Sequence, residues 1–237
     1  MDYEVLMNGN VKIGMYAPEF EAETTMGKIS LNEYKEKWIV LFSHPGDFTP
    51  VCTTEIIAFS RANTYFEKLN TYLLGLSVDS NASHLAWVYE IYCKTGIRVP
   101  FPIIADRNGA IARKYGMISN DVSTTETVRN VFIIDDKGIV RLILVYPLNV
   151  GRCIPEIIRA LEALQTADAS KGATPANWVP CEPIIAPPPQ TFQELLLRNE
   201  QIEQNRNGIS WYLSFKEPVK CISIAQNNNK RLEDKKE

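Results

Sequence analysis

Residues 38–55 read Trp38-Ile39-Val40-Leu41-Phe42-Ser43-His44-Pro45-Gly46-Asp47-Phe48-Thr49-Pro50-Val51-Cys52-Thr53-Thr54-Glu55. The first five form a continuous apolar run of strand length, as a buried parallel strand requires. His44 to Pro50 is dense in turn residues. A helix is expected next. Thr49 can act as its N-cap, and Pro50 takes the first helical position, where a missing N–H costs nothing. Ile56, Phe59, Ala62, Phe66 and Leu69 then recur at three- or four-residue intervals as one apolar stripe. Cys52 falls in the first turn of this helix, at the C-terminal edge of a parallel sheet. A thiol there feels the positive end of the helix dipole and nearby unpaired N–H groups, both of which favour thiolate. The other reading is an ordinary small buried residue. Spacing alone leaves both open.

Outward from this stretch, strands and helices alternate. Tyr72 to Val78 reads as a second buried strand. Ser80 or Asn81 can cap a helix running through Leu85, Val88 and Tyr92 to Gly96, which suits a helix C-terminus. Ile103-Ile104-Ala105 is a short third strand, and a short helix ends near Tyr115-Gly116. Val131–Ile134 and Ile139–Val145 flank Asp135-Asp136-Lys137-Gly138, a hairpin signal. A last helix carries Ile154, Ile157, Ile158, Leu161 and Leu164. The class is α/β, and the order fits a thioredoxin-like sheet, with other α/β topologies open. Residues 174–189 hold six prolines and read as an extended arm rather than a packed element. Thr191 to Gln204 regains a helical pattern, and Ile209 to Phe215 reads as a strand. The expected division is 1–168 for the main domain and 169–237 for an extension.

At 237 residues the chain can bury a large core without metal or disulfide staples. Its net charge of −3 lacks the basic footprint of a general nucleic-acid binder. No apolar run is long enough for a membrane helix, and no signal-peptide pattern opens the chain, so a cytoplasmic setting is expected. The five cysteines (Cys52, Cys93, Cys153, Cys181, Cys221) are odd in number and contain no CxxC. With two histidines, His44 and His84, they suggest neither a disulfide framework nor a zinc site. No metal and no cofactor is expected.

The stretch from Phe42 to Glu55 resembles the active-site signature of the peroxiredoxins, the AhpC/TSA family, whose pattern is Pro-x-x-x-Thr-x-x-Cys. Leu76–Ser80 with His84 and Trp87, Phe101–Asp106 with Gly109, and Thr127-Val128-Arg129 are similar to further family segments. Tyr146-Pro147, Gly151-Arg152 and Thr174 to Trp178 resemble the one-cysteine-type subfamily with a long C-terminal domain, its archaeal-type branch most of all. The resemblance implies a thioredoxin-like fold with a C-terminal extension domain and a thiol peroxidase acting on hydrogen peroxide and organic hydroperoxides. Cys52 would attack one peroxide oxygen and become a sulfenic acid, and an external thiol would restore it.

A free thiol of pKa about 8.5 is about 3% ionised at pH 7, so full ionisation gains only about 30-fold, and some is returned as nucleophilicity falls. Other groups are therefore needed. By the resemblance, Arg129 would donate to thiolate and peroxide, and Thr49 would hold the peroxide. Pro45 would shield the site, Glu55 would orient Arg129, Arg152 would supply a second guanidinium, and His44 would shape the pocket. Each has a plainer reading: Thr49 as a helix cap, Glu55 as a solvated carboxylate, Arg152 as an interface salt bridge, His44 as structural. His84 reads as packing or an interface contact, and Cys93 and Cys153 as buried or incidental.

Archaeal-type relatives carry two further cysteines, where this chain has Gly208 and Ser214. Cys221, or less readily Cys181, would have to resolve Cys52 if the chemistry is not strictly one-cysteine. The chain lacks a lipase-like GxSxG near Gly27-Lys28-Ile29-Ser30-Leu31, so no phospholipase activity is expected. The resemblance also implies a homodimer assembling to a decamer. A peroxide sensor or oligomeric holdase using the same thiol is the alternative from another class. A cysteine hydrolase using Cys52 and His44 lacks a clear orienting Asn or Asp.

Overall fold

The protein is described here by a computed structural model covering residues 11–219. It forms two units that divide between Ile154 and Pro155. The first holds β1 (Glu21–Thr24), β2 (Gly27–Ser30), a 3-10 turn (Leu31–Tyr34), β3 (Trp38–Ser43), α1 (Pro50–Lys68) and β4 (Thr71–Ser77). It continues with α2 (Asn81–Thr95), β5 (Ile103–Ala105), α3 (Ala110–Lys114), β6 (Arg129–Ile134) and β7 (Val140–Tyr146). The strands form one seven-stranded sheet in the order β2-β1-β5-β4-β3-β6-β7.

The apolar run at 38–43 is the reason β3 lies inside this sheet: all six residues are buried. It pairs parallel with β4 (Ser43 opposite Leu76) and antiparallel with β6 (Phe42 opposite Val131). Each fully buried large apolar side chain contributes about 1.5–3 kcal/mol, so Val40, Leu41 and Phe42 hold the site's floor firmly. Phe42 also stacks on Phe59 of α1 at 4.2 Å between ring centroids.

The buried face of α1 runs Cys52, Glu55, Ile56, Phe59, Asn63, Phe66. It is the expected stripe with two polar members added, and Asn63 takes the place given to Ala62. Helix α2 ends as expected, with Gly96 in the left-handed region (φ +71°) and its N–H on Tyr92 O. Its inward face carries His84, in line with the packing reading of that residue. His84, Trp87 and Ile91 are buried, whereas Leu85 and Tyr92 are exposed. Polar bonds set this rotation: Trp87 Nε1 donates to Thr53 Oγ1 (3.2 Å), and both ring nitrogens of His84 have inward partners. Cys93 and Cys153 are exposed, so of the two readings, buried or incidental, the buried one falls for both.

The second unit holds α4 (Ile154–Ser170), β8 (Ile184–Ile185), α5 (Phe192–Asn205), β9 (Gly208–Ser210) and β10 (Leu213–Lys216). The strand expected over 209–215 is a tight hairpin, β9 and β10, turned at Trp211-Tyr212. The proline-rich arm is packed, contrary to expectation. Its backbone turns at Pro175–Trp178 and at Val179–Glu182, with Asn177 and Cys181 in the left-handed region; Trp178 and Ile184 are fully buried, and β8 pairs with β10. Gly172 permits this closeness, since a Cβ there would lie 2.8 Å from both Ile184 Cδ1 and Ile185 O. Among the described residues no helix is long and apolar enough to cross a membrane.

Candidate active site

The site lies where β3 gives way to α1. His44 N donates to Leu76 O and Thr127 Oγ1 to His44 O, so the chain is still tied to its neighbours as it leaves the sheet. The loop then turns through Phe48, whose φ of +55° is left-handed. This conformation is costly for a residue other than glycine and clusters at functional sites. Thr49 begins the helix with extended backbone, but its side chain makes no cap. Thr49 Oγ1 turns back and donates to Gly46 O at 2.9 Å. The hydroxyl therefore keeps lone pairs available beside Cys52, one helical turn on.

Cys52 is fully buried. Arg129, the first residue of β6, reaches it from the neighbouring strand: Nη1 donates to Cys52 Sγ at 3.3 Å and to Glu55 Oε2 at 2.8 Å. The rest of the guanidinium is pinned by Leu148 O, which accepts from Nε (3.0 Å) and Nη2 (2.7 Å). Both planar edges are thus used, a geometry a point-charge lysine cannot copy.

Glu55 is the hub. Its Oε1 accepts from Arg152 N (2.8 Å) and Nε (2.9 Å), and its Oε2 from Arg152 Nη2 (2.6 Å) as well as Arg129. Arg152 Nη1 also donates to Ser43 O and Asn130 O, and its guanidinium stacks over Phe42 and Phe59. Burial alone would raise the Glu55 carboxyl, but the hydrogen bonds and charge of Arg152, with the charge of Arg129, hold it below its ordinary value. The solvated reading of Glu55 is therefore corrected. For Arg152 the salt bridge is internal, to Glu55 of the same chain.

His44 is fully buried, and its Nε2 lies 3.0 Å from Asp47 Oδ1. Burial pulls the imidazole below its ordinary value, against the opposing pull of Asp47, so the ring is neutral. Pro45 is half-buried beside it. Asp47 stands in the sequence as one turn residue among several, and the structure makes it the acid that orients His44. Its position three residues past a histidine was the available signal. Leu148 O carried no signal, because a backbone carbonyl has no residue type.

Gly208 and Ser214, the positions at which the resemblance to archaeal-type relatives leads one to expect cysteines, face each other across the β9–β10 hairpin. A Cβ on Gly208 would sit 2.7 Å from Leu213 O and Ser214 Cα, so the hairpin excludes any side chain there. Ser214 Oγ is buried against Arg198 Nη1 at 2.6 Å. Cys181 is disulfide-bonded, and Cys221 lies outside the described residues.

Comparison with known proteins follows the same lines. The AhpC/TSA family pattern matches residues 13–143, and that of the C-terminal domain of 1-Cys peroxiredoxin matches 163–203. "Peroxiredoxin 2" of Caldanaerobacter subterraneus subsp. tengcongensis is 57% identical, over 86% of this chain and 92% of its own length. A peroxiredoxin of Aquifex aeolicus is 50% identical, over 86% and 96%. Among solved structures, a yeast mitochondrial 1-Cys peroxiredoxin superposes with a TM-score of 0.75 at 38% identity, covering 87% of this chain and 99% of its own. A cysteine-to-serine mutant of peroxiredoxin 6 from Arenicola marina gives 0.77 at 34%, covering 89% and 100%.

Proposed function

The chain belongs to the AhpC/TSA family of peroxiredoxins and is a thiol-dependent peroxidase, and on that premise we propose that Cys52 is the residue oxidised, with Arg129 and Thr49 as its partners. The observation that carries this is the single nitrogen Arg129 Nη1, which serves both Cys52 Sγ and Glu55 Oε2. In the step proposed, the Cys52 thiolate attacks one oxygen of a hydroperoxide. The S–O bond forms as the O–O bond breaks. Sulfur loses two electrons, and the departing oxygen takes up a proton as water or alcohol.

Arg129 stabilises negative charge on sulfur and then on the departing oxygen. Because the Thr49 proton is engaged by Gly46 O, what Thr49 offers the peroxide is a lone pair that accepts its O–H. Pro45 walls the pocket, and Glu55 and Arg152 hold Arg129 in place. An external thiol then attacks the sulfenic sulfur, releasing water and leaving a mixed disulfide, which a second thiol cleaves. The yeast relative has its thiol resolved through glutathione/thioredoxin systems, and a reductant of that class suits a chain with Gly208 and Ser214 in place of the family's two further cysteines.

Arg129→Lys tests the assignment. Stopped-flow oxidation of Cys52 by hydrogen peroxide is expected to slow about 100- to 1,000-fold, the usual cost of losing a preorganised donor. A rate within about threefold of the parent would refute a role for the guanidinium fork.

The proposal extends to assembly: residues 1–168 form the peroxidase domain, most of α4 included although it falls in the second compact unit, and 169–237 build a homodimer, five of which make a decamer. The separate family match to 163–203 supports a distinct C-terminal part. Sedimentation velocity at several concentrations should show a species near ten chains, and a concentration-independent monomer would defeat it.

A further inference from the structure

His84 takes no part in the mechanism above. It lies on α2, fully buried, with Nδ1 at 3.0 and 2.9 Å from the two carboxylate oxygens of Asp47 and Nε2 at 3.2 Å from Ile104 O. A carbonyl oxygen only accepts, so Nε2 must carry a proton. Burial alone would raise the Asp47 carboxyl, but its hydrogen bonds to His44 and His84 and their charges hold it well below the ordinary range. An ionised carboxylate also only accepts, so Nδ1 carries a proton as well.

We infer that His84 is a buried imidazolium and a positioning residue for Cys52 oxidation, clamping Asp47 and through it the loop that carries Pro45 and Thr49. The clamp acts on both parts of Asp47. Its carboxylate takes His84 and also His44 Nε2, which fixes His44 as the Nε2–H tautomer. His44 Nδ1 is then bare, and it has no hydrogen-bond partner among the described residues. Meanwhile Asp47 N donates to Asp79 Oδ2 at 2.9 Å, and Asp79 is itself held by Ser77 Oγ. The next residue is Phe48 with its left-handed backbone, then Thr49 bonded back to Gly46 O. The charges nearby are thus one carboxylate on Asp47, one cation on His84, the Asp79 side chain, and Arg152, whose charge further disfavours a charged His44.

The kinetic half of this inference rests on the peroxidase reading, but the protonation half does not. The chain has two histidines, so a long-range 1H–15N spectrum of the full-length labelled protein at pH 7 resolves both rings without crowding. The expected pattern is both His84 nitrogens protonated and one bare nitrogen, on His44. A bare nitrogen on His84 would overturn it. The ligand atoms of His44, Asp47 and His84 also lie within 4.8 Å of one another, a spacing that could hold a divalent cation. Zinc retained at one per chain after dialysis, with both rings shifted, would overturn it too.

For the kinetics, Asp47→Asn and His84→Gln should each slow oxidation of Cys52 by hydrogen peroxide about 10- to 100-fold, as small misplacements near a reacting centre do. The double variant should be no slower than the worse single one, because the pair acts as a unit. In Asp47→Asn, which removes the carboxylate, the fixed His44 tautomer should give way to a mixture. His84→Asn serves should the glutamine variant not fold. Unchanged or additive rates would remove the positioning role. Parent protein that does not oxidise at all would defeat the peroxidase reading and leave the spectrum to judge His84.

Discussion

Serine in place of Cys52 is expected to abolish hydroperoxide reduction while leaving the fold in place. The change swaps sulfur for oxygen at a fully buried position and alters neither the sheet nor the helix start. A serine hydroxyl does not ionise near neutral pH, and an oxygen in place of the sulfur has no counterpart to the sulfenic acid that peroxide makes of a thiolate. Peroxide consumption with a dithiol reductant should fall to the uncatalysed background, and the thermal midpoint should move by only a few degrees for a loss near 1 kcal/mol. Continued turnover would shift the chemistry to another thiol, with exposed Cys153, beside Arg152, the first to test.

Glu55→Ala is expected to be costly in a different currency. One carboxylate holds two buried guanidiniums through three of their N–H groups and also accepts from the Arg152 backbone N–H. Removing it leaves Arg129 and Arg152 uncompensated, and breaking such a buried pair from one side costs about 3–5 kcal/mol. Cys52 oxidation should slow as well, because Arg129 Nη1 loses the partner that aims it. The pH dependence has a definite sign. The Glu55 carboxyl is depressed in the folded state: burial opposes this, and the hydrogen bonds and charge of Arg152 outweigh it. A depressed acid contributes stability that is fully present above its unfolded pKa, about 4.3, and is lost as pH falls through the folded value. The gap between parent and variant in urea unfolding should be widest at neutral pH and should shrink below about pH 4. A gap that stays constant into acid would contradict the ion-pair origin of the effect.

The sequence was most informative where local pattern and chemistry coincide. The apolar run at 38–42, the turn residues after it and Pro50 at the helix start located Cys52 without any knowledge of the tertiary structure. Arg129, Glu55 and Arg152 could be nominated by resemblance, yet their bonding could not be read. Arg129 meets Glu55 only because β6 pairs with β3, and a pairing of residues 74 apart in sequence leaves no local periodicity. The rotation of α2 is set in the same way by contacts distant in sequence. Leu85, Val88 and Tyr92 mark the helix in the sequence, whereas buried polar bonds of His84 and Trp87 decide which face turns inward. The arm at 174–189 shows the converse: its prolines argue against a packed element, yet Trp178 and Ile184 are buried and Ile184–Ile185 pairs as a strand.

The most direct test is the intact mass of fully reduced protein after a brief exposure to one equivalent of hydrogen peroxide without reductant, followed by location of the change. The expected result is a gain of one oxygen on Cys52, returned to the starting mass by added thiol. An unchanged mass after seconds of exposure, or oxygen found on Cys93 or Cys153 with Cys52 untouched, would contradict the assignment of Cys52 as the peroxide-reducing residue.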